Sequence, residues 1–391
     1  MPKPRLLYAS PFPPQQSGIS EYSRVLVRAL REAFDVTLLT DNYTISDTEL
    51  VRNFAVEIYH SNRGDLVELY PYKIYNIGNN PWYHRYIYEC CLRSPGVVIL
   101  HDAVIYFLVV DILKDHPDFL GEVYRLEGAH GVSLIKEQLK SGESLLRYSQ
   151  PHLLPFLREL LDSGNRILVH SDYALTQLRR KCRADSRLGR IDMAIECNGQ
   201  PNHQHSAQLR ERLGIPHDAV LVCSFGFVAP TKLNHLVCDA IHNVRAKTWK
   251  DIYYCMVGEG SYVDEQLSGH VRVTGYVPED EYEAYMRCAD AVVNLRYPSM
   301  GETSIALLRA MSLGKPCVVT NHAWFSELPD STVFKTGIPG REDVVGQLTQ
   351  ALSLFLERRS VFDQIGAAAA EYVRSRCAPS AVVEHLAQYL G

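Results

Sequence analysis

Nowhere does this sequence run for the roughly 18–20 uncharged apolar residues that a membrane-crossing helix needs, so no helical span is expected. Its start, Met-Pro-Lys-Pro-Arg, lacks the apolar stretch and small-residue cleavage site of a secretion signal. Ten cysteines are scattered along the chain without a Cys-x-x-Cys or a Cys/His cluster at zinc spacing. They read as small buried hydrophobes in a reducing compartment, and the expected location is cytoplasmic. Basic residues are not in excess. With 40 Lys and Arg against 45 Asp and Glu the net charge is −5, so no global positive field argues for a nucleic-acid partner. The glycine fingerprint G-x-G-x-x-G is missing after the first strand-like segment, where the chain reads Pro-Phe-Pro-Pro. That argues against a nicotinamide-dependent oxidoreductase.

What is present is the balance of a globular protein, 46% hydrophobic and 22% charged. At 391 residues the chain exceeds one ordinary core and suits two domains. Residues 5–10 form a strand pattern, 11–18 a loop rich in Pro and Gly, and 36–39 a second strand pattern. Between them Tyr22, Val25, Leu26, Ala29, Leu30 and Ala33 recur at helical spacing. Further apolar strands are expected at 73–77, 97–100 and 166–169, with 103–162 mostly helical. Residues 198–206, Asn-Gly-Gln-Pro-Asn-His-Gln-His-Ser, have the composition of a linker. The rhythm then restarts. Strands are expected at 219–225, 252–257, 271–274, 291–295 and 317–320, with a helical stripe through Leu233, Leu236, Val237, Ala240, Ile241 and Val244. The fold class is therefore α/β, two Rossmann-like doubly wound parallel sheets in tandem. The division falls at 1–200 and 201–377, with a final helix over 378–391 packing back on the first domain. Ligands of such sheets sit at the carboxyl ends of the strands, here across a cleft between the domains.

The passage richest in chemistry is residues 294–316, Asn-Leu-Arg-Tyr-Pro-Ser-Met-Gly-Glu-Thr-Ser-Ile-Ala-Leu-Leu-Arg-Ala-Met-Ser-Leu-Gly-Lys-Pro. A strand ends, a loop passes through Gly301, and a helix begins near Thr303 and stops at Gly314 and Pro316. The helix is apolar almost all round and therefore buried. Its N-terminus presents backbone N–H groups and a positive dipole end, an anion site suited to a diphosphate. Glu302 stands at the mouth of that site. It reads equally as a first-turn carboxylate favoured by the dipole.

Together these motifs resemble the retaining glycosyltransferases of family 4, which have the GT-B fold, over nearly the whole chain. The resemblance rests on Arg-Ala-Met-Ser at 309–312 and Gly-Lys-Pro-Cys-Val-Val-Thr at 314–320, and on Phe-Gly-Phe-Val-Ala-Pro-Thr-Lys at 225–232. It implies a first domain on the acceptor side and a second that binds the nucleotide sugar. The two glutamates of the family motif fall on Gly301 and Arg309, and Glu302 lies one residue late. Gly226 and Lys232 match a diphosphate-binding stretch, Phe227 stands where an Arg is expected, and Arg296 is a substitute cation. The implied catalytic residues are His101, Lys232 and Glu302. The implied donor-binding residues are Gly18, Gly226, Arg296, Gly301, Thr303, Ser304 and Arg309. His101 and Asp102 follow an apolar strand, as does the histidine that contacts the transferred sugar in the family. Residues 76–80 with Trp82 and His84 form a polar, aromatic-rich loop, so Asn79, Trp82 and His84 are acceptor-side candidates. His170 and Ser171 end the next strand and read as hydrogen-bonded packing groups.

The expected reaction moves a sugar from a nucleotide-diphosphate donor to a saccharide, glycolipid or other glycoconjugate. No cofactor is expected, and no Asp-x-Asp pair is present to hold a divalent ion, so no metal is expected. The alternative is a non-catalytic sugar-nucleotide-binding protein, because the carboxylate pair and one cation of the motif are replaced. Arg179, Arg180, Lys181 and Arg183, with Arg187 and Arg190 beyond them, read either as a solvated helix face or as a peripheral contact with the inner membrane face.

Overall fold

The computed structural model describes residues 2–60, 65–182, 185–197, 203–248 and 250–390. They form two compact units. One comprises Met1–Ala194 with Met300–Thr303 and Pro379–Gly391, the other Ile195–Ser299 with Ser304–Ala378.

The first unit is built on seven parallel strands: β1 (Arg5–Ala9), β2 (Asp35–Thr40), β3 (Ala55–Ile58), β4 (Tyr72–Ile77), β5 (Val97–Leu100), β6 (Arg166–Val169) and β7 (Leu188–Arg190). Their order is β3-β2-β1-β4-β5-β6-β7. The order reverses beside β1, which pairs with both β2 and β4. Helices cover both faces of a parallel sheet, so its central strands are continuous apolar runs. All four residues of β5 are buried. The stretch before β6 is helical, with helices at Tyr106–Leu113, Phe119–Lys140 and Arg158–Asp162. The helix Pro379–Leu390 lies against the helix Gly18–Leu30 of the same unit.

The second unit carries six parallel strands: β8 (Val220–Phe225), β9 (Ile252–Val257), β10 (Val271–Val273), β11 (Ala291–Asn294), β12 (Cys317–Thr320) and β13 (Phe334–Thr336). Their order is β10-β9-β8-β11-β12-β13, so the reversal falls between β8 and β11. All six residues of β8 are buried. Asp290, just before β11, ties three segments together: it accepts from the Leu221 amide at 2.9 Å and pairs with Arg210 and Arg359.

Several boundaries differ from expectation. Strands β3, β7 and β13 carry no sequence signal of their own, being three or four residues long and at sheet edges. Of the expected linker, residues 198–202 lie outside the described residues, and 203–206 are already in the helix His203–Arg212. The first helix ends at Leu30, before Ala33. Among the described residues no helix is long and apolar enough to cross a membrane.

Candidate functional site

In the second unit the carboxyl ends of β8, β11 and β12 gather the polar groups. β8 ends at Phe225, and Gly226 follows with φ +84. A Cβ at Gly226 would stand 2.7 Å from the Lys232 ammonium, the movable end of a long side chain, so it is the dihedral that favours glycine here. A short turn, Pro230–Lys232, then folds back, and the Lys232 Nζ donates to the Phe225 carbonyl at 2.7 Å. Arg296, beyond the end of β11, donates from Nη1 to the Thr231 hydroxyl at 3.3 Å. The Tyr297 amide donates to the Thr231 carbonyl at 2.8 Å, and the Arg296 amide to the Thr320 hydroxyl at the end of β12 at 3.1 Å. The two cations that the sequence set 64 residues apart thus meet at one turn.

The buried helix begins at Ile305, two residues later than expected, with Ser304 as its N-cap. The Ser304 hydroxyl accepts from the Leu307 amide at 3.2 Å and from the Asn294 side chain at 3.1 Å. Its oxygen is spent on the cap. Helix geometry leaves the amides of Ile305 and Ala306 without intrahelical acceptors. Arg309, expected at the donor, has its guanidinium paired with Glu279 and lying 5.2 Å from the ring centre of Tyr282. Tyr282 in turn packs against Phe225, with ring centres 5.0 Å apart. Phe227, where the sequence resemblance implies a cation, is two-thirds exposed.

In the first unit the carboxyl ends of β4, β5 and β6 meet in a row of side chains. The His101 ring lies between Asn76 and His170, its Nε2 3.1 Å from the Asn76 side-chain amide and its Nδ1 3.2 Å from His170 Nε2. His170 Nδ1 is 3.0 Å from the Ile191 carbonyl. Tyr22 packs edge-on against both imidazoles, and its hydroxyl is buried without a partner. Burial pushes His170 down to about 4 and His101 well below the ordinary histidine range, the second His101 contribution being His170 itself. His101 therefore has both ring nitrogens bonded within the protein, and His170 is the packing partner expected of it.

The acceptor-side candidates separate. His84 is buried rather than displayed: its Nδ1 donates to the Asn76 carbonyl at 3.1 Å, and burial brings it down to about 4. Asn79 caps the helix Tyr106–Leu113, which has no side-chain cap at its own N-cap residue. Its Oδ1 accepts from the Phe107 amide at 2.8 Å, while its own amide donates to Asp102 at 2.9 Å. Trp82 alone stands out, 76% exposed at the start of the helix Pro81–Arg93. Gly18 is the first residue of the helix capped by Ser17 rather than a loop glycine.

Met300–Thr303 belongs to this unit. Gly301, φ +84, brings its Cα against Ala103, and a Cβ there would lie 2.5 Å from the Ala103 methyl. Glu302 precedes the helix instead of sitting in its first turn, and it accepts from the Met300 amide at 2.7 Å. Tyr173 is beside it, its hydroxyl raised by burial first and by the Glu302 charge second. The Thr303 hydroxyl is buried without a partner.

Several residues of the basic stretch bond within the first unit. Lys181 reaches Glu127, Arg190 bridges Asp172 and Asp192, and Arg187 donates to the carbonyls of Leu161 and Asn165. Arg179 and Arg180 lie in the last turn of the helix Asp172–Lys181, and Arg183 lies outside the described residues.

Thr231, Asn234 and Asn294 were missed by sequence reasoning. The available signal was a polar residue directly after an apolar strand or before an apolar helix.

Residues 218–358 match the family model described as Glycosyl transferases group 1. No curated protein sequence matches the chain. Among solved structures, HepE of Anabaena in complex with UDP-glucose is similar at 17% identity over 98% of each chain, with a TM-score of 0.68. Sucrose-phosphate synthase of Thermosynechococcus elongatus is similar at 17% identity over 99% of this chain and 98% of that one, TM-score 0.65. WaaG, a glycosyltransferase involved in lipopolysaccharide biosynthesis, is similar at 15% identity over 98% of this chain and 99% of that one, TM-score 0.63. At such identities the likeness establishes the fold: two Rossmann-like domains of the GT-B class.

Proposed function

We propose that this chain is a retaining glycosyltransferase that takes a sugar from a nucleoside-diphosphate donor and needs no metal ion. The observation that carries the reading is the meeting of Lys232 and Arg296 at the Thr231 turn, within the unit that holds the amide end of the Ile305–Ser312 helix. Two fixed cations and open amide donors answer the charge of a diphosphate. The family match over residues 218–358 and the bound UDP-glucose of HepE support the same reading.

The bond between the anomeric carbon and the diphosphate oxygen breaks, and its electron pair leaves with the phosphate. Lys232, Arg296 and the amides of Ile305 and Ala306 stabilise the growing negative charge. The acceptor hydroxyl adds to the same face of the sugar, and its proton passes to the departing phosphate oxygen. Glu302 contributes a carboxylate toward the sugar. His101, with both nitrogens bonded, acts as a support for the strand ends. The exposed indole of Trp82 offers an apolar face to a saccharide acceptor.

The test is a screen of nucleotide sugars, beginning with UDP-glucose, by thermal shift and then by release of nucleoside diphosphate with and without glycan acceptors. Stabilisation by a donor and acceptor-dependent release are expected. If neither uridine, guanosine nor adenosine diphosphate sugars shift the unfolding temperature, the reading fails. A second reading is favoured by Arg309 being paired with Glu279 and by Phe227 in place of a cation. The chain would then bind the donor without turning it over, seen as tight binding with no release.

A further inference from the structure

Lys232 sits in a turn whose backbone is unusual. The next residue, Leu233, is a buried leucine in the left-handed region, φ +54 and ψ +28. A non-glycine residue persists there only where its surroundings hold it. The hold comes from Asn234, which opens the helix Asn234–Thr248 and is 2% exposed. Its Nδ2 donates to the Tyr254 hydroxyl at 2.8 Å and to the Ser224 hydroxyl at 3.1 Å. Those hydroxyls lie 2.8 Å apart and come from β9 and β8. The Tyr262 hydroxyl donates to Asn234 Oδ1 at 3.4 Å and accepts from the His235 amide at 3.2 Å.

The bonds of Lys232 and Asn234 run to adjacent residues of one strand. Asn234 is tied to Ser224, and the Lys232 ammonium is tied to the carbonyl of Phe225. The turn is thus pinned at both of its ends to the end of β8, and the ammonium lies beside Gly226. We infer that Asn234 is a positioning residue: through its bonds to Ser224, Tyr254 and Tyr262 it holds the Leu233 turn and thereby fixes Lys232 where a ligand's diphosphate is to be bound. The inference rests on the phosphate reading of Lys232 and adds a residue that itself touches no substrate. A buried, fully bonded amide is suited to this work because its planar group aims two donors and an acceptor at once, while the Ser224–Tyr254 bond survives its removal.

The experiment is a double-mutant cycle read by calorimetric binding of UDP, with inorganic pyrophosphate as a base-free probe. The proteins are the unaltered chain, Asn234→Leu, Lys232→Ala and the double variant. Asn234→Leu is expected to weaken binding of both probes roughly tenfold, and to have no effect on either once Lys232 is alanine. Its thermal destabilisation should be the same in both backgrounds, which separates positioning from stability. If Asn234→Leu weakens binding equally with and without Lys232, the positioning role is overturned while the phosphate site stands. If Lys232→Ala binds both probes as tightly as the original chain, or the original chain binds neither, the phosphate reading falls and takes this inference with it.

Discussion

His101 and His170 face each other nitrogen to nitrogen, Nδ1 to Nε2 at 3.2 Å, in a row that ends on the Ile191 carbonyl at one side and the Asn76 amide at the other. Three links need three protons, and two neutral imidazoles carry two. The Ile191 carbonyl takes the His170 Nδ1 proton, and His170 Nε2 accepts the His101 Nδ1 proton. The third link needs the Asn76 amide nitrogen, which stands 3.5 Å from the Ala9 carbonyl, to turn toward His101 Nε2 in place of Oδ1. Burial opposes a charge on the row, so the neutral, ordered chain is the one the fold supports.

Acid stability follows from that row and from His84. The folded values of His84 and His170 are about 4, against an ordinary 6.5, and that of His101 is also depressed. Between pH 6.5 and 4 the unfolded chain binds protons that the folded one does not. Stability contributed by these rings is therefore complete above pH 6.5 and is lost as pH falls through that window. His84 and His170 each account for about 1 kcal/mol per pH unit there, and His101 acts in the same direction. Urea unfolding at pH 7.5 and 5.5 should show His84→Gln losing about 1.4 kcal/mol less than the original protein over that interval. Equal losses in the two proteins would contradict a buried neutral His84.

Lys232→Ala should lower turnover by ~10²–10³-fold, the usual cost of removing one group that stabilises a departing charge, with the unfolding temperature little changed. Steady-state kinetics and a melting curve decide it, and near-normal turnover refutes the role. EDTA should leave the rate unchanged, since the charge is met by side chains and amides. A chelator-sensitive rate would reassign that work to a cation.

Glu302→Gln keeps an oxygen for the Met300 amide and removes only the charge. Its rate should therefore fall by ~10-fold or more while donor affinity stays within about twofold, as expected for an interaction made in the transition state. A fall in affinity at constant rate would make Glu302 a binding group instead.

Asp290→Ala should destabilise the second unit by about 1–3 kcal/mol, because it leaves Arg210 with only its carbonyl acceptors at Pro216, Ala219 and Cys288 and removes the acceptor of the Leu221 amide. Denaturant unfolding measures it. A loss under about 1 kcal/mol would mean that the cluster behaves as a surface pair.

Ala323, just past β12, is buried with φ +51 and ψ −138, a combination that glycine adopts readily and alanine does not. Ala323→Gly should gain about 0.5–1 kcal/mol, the relief of strain exceeding the entropy glycine adds to the unfolded chain. A loss of stability in urea would show that the conformation is unstrained.

Much of the architecture was legible. β5, β8 and β9 are covered on both faces, so the chain spells each as an apolar run, interrupted in β8 only by Ser224. The edge strands β3, β7 and β13 have partners on one side only and need no such run, which is why they leave no pattern. The start of the Ile305–Ser312 helix was misplaced by two residues because Thr303 and Ser304 are equally good caps by type. Only the Asn294 side chain, reaching Ser304, marks which one is used.

The order of strands and helices, the two-sheet plan and the amide end of a buried helix were written in local periodicity and capping chemistry, properties of neighbouring residues along the chain. That Arg296 and Lys232 meet at one turn, that Arg309 is paired with Glu279, and that His84 and His101 are buried and bonded were decided by tertiary structure alone. Those facts depend on residues brought together from distant positions by the sheet, and no local pattern encodes such a distance.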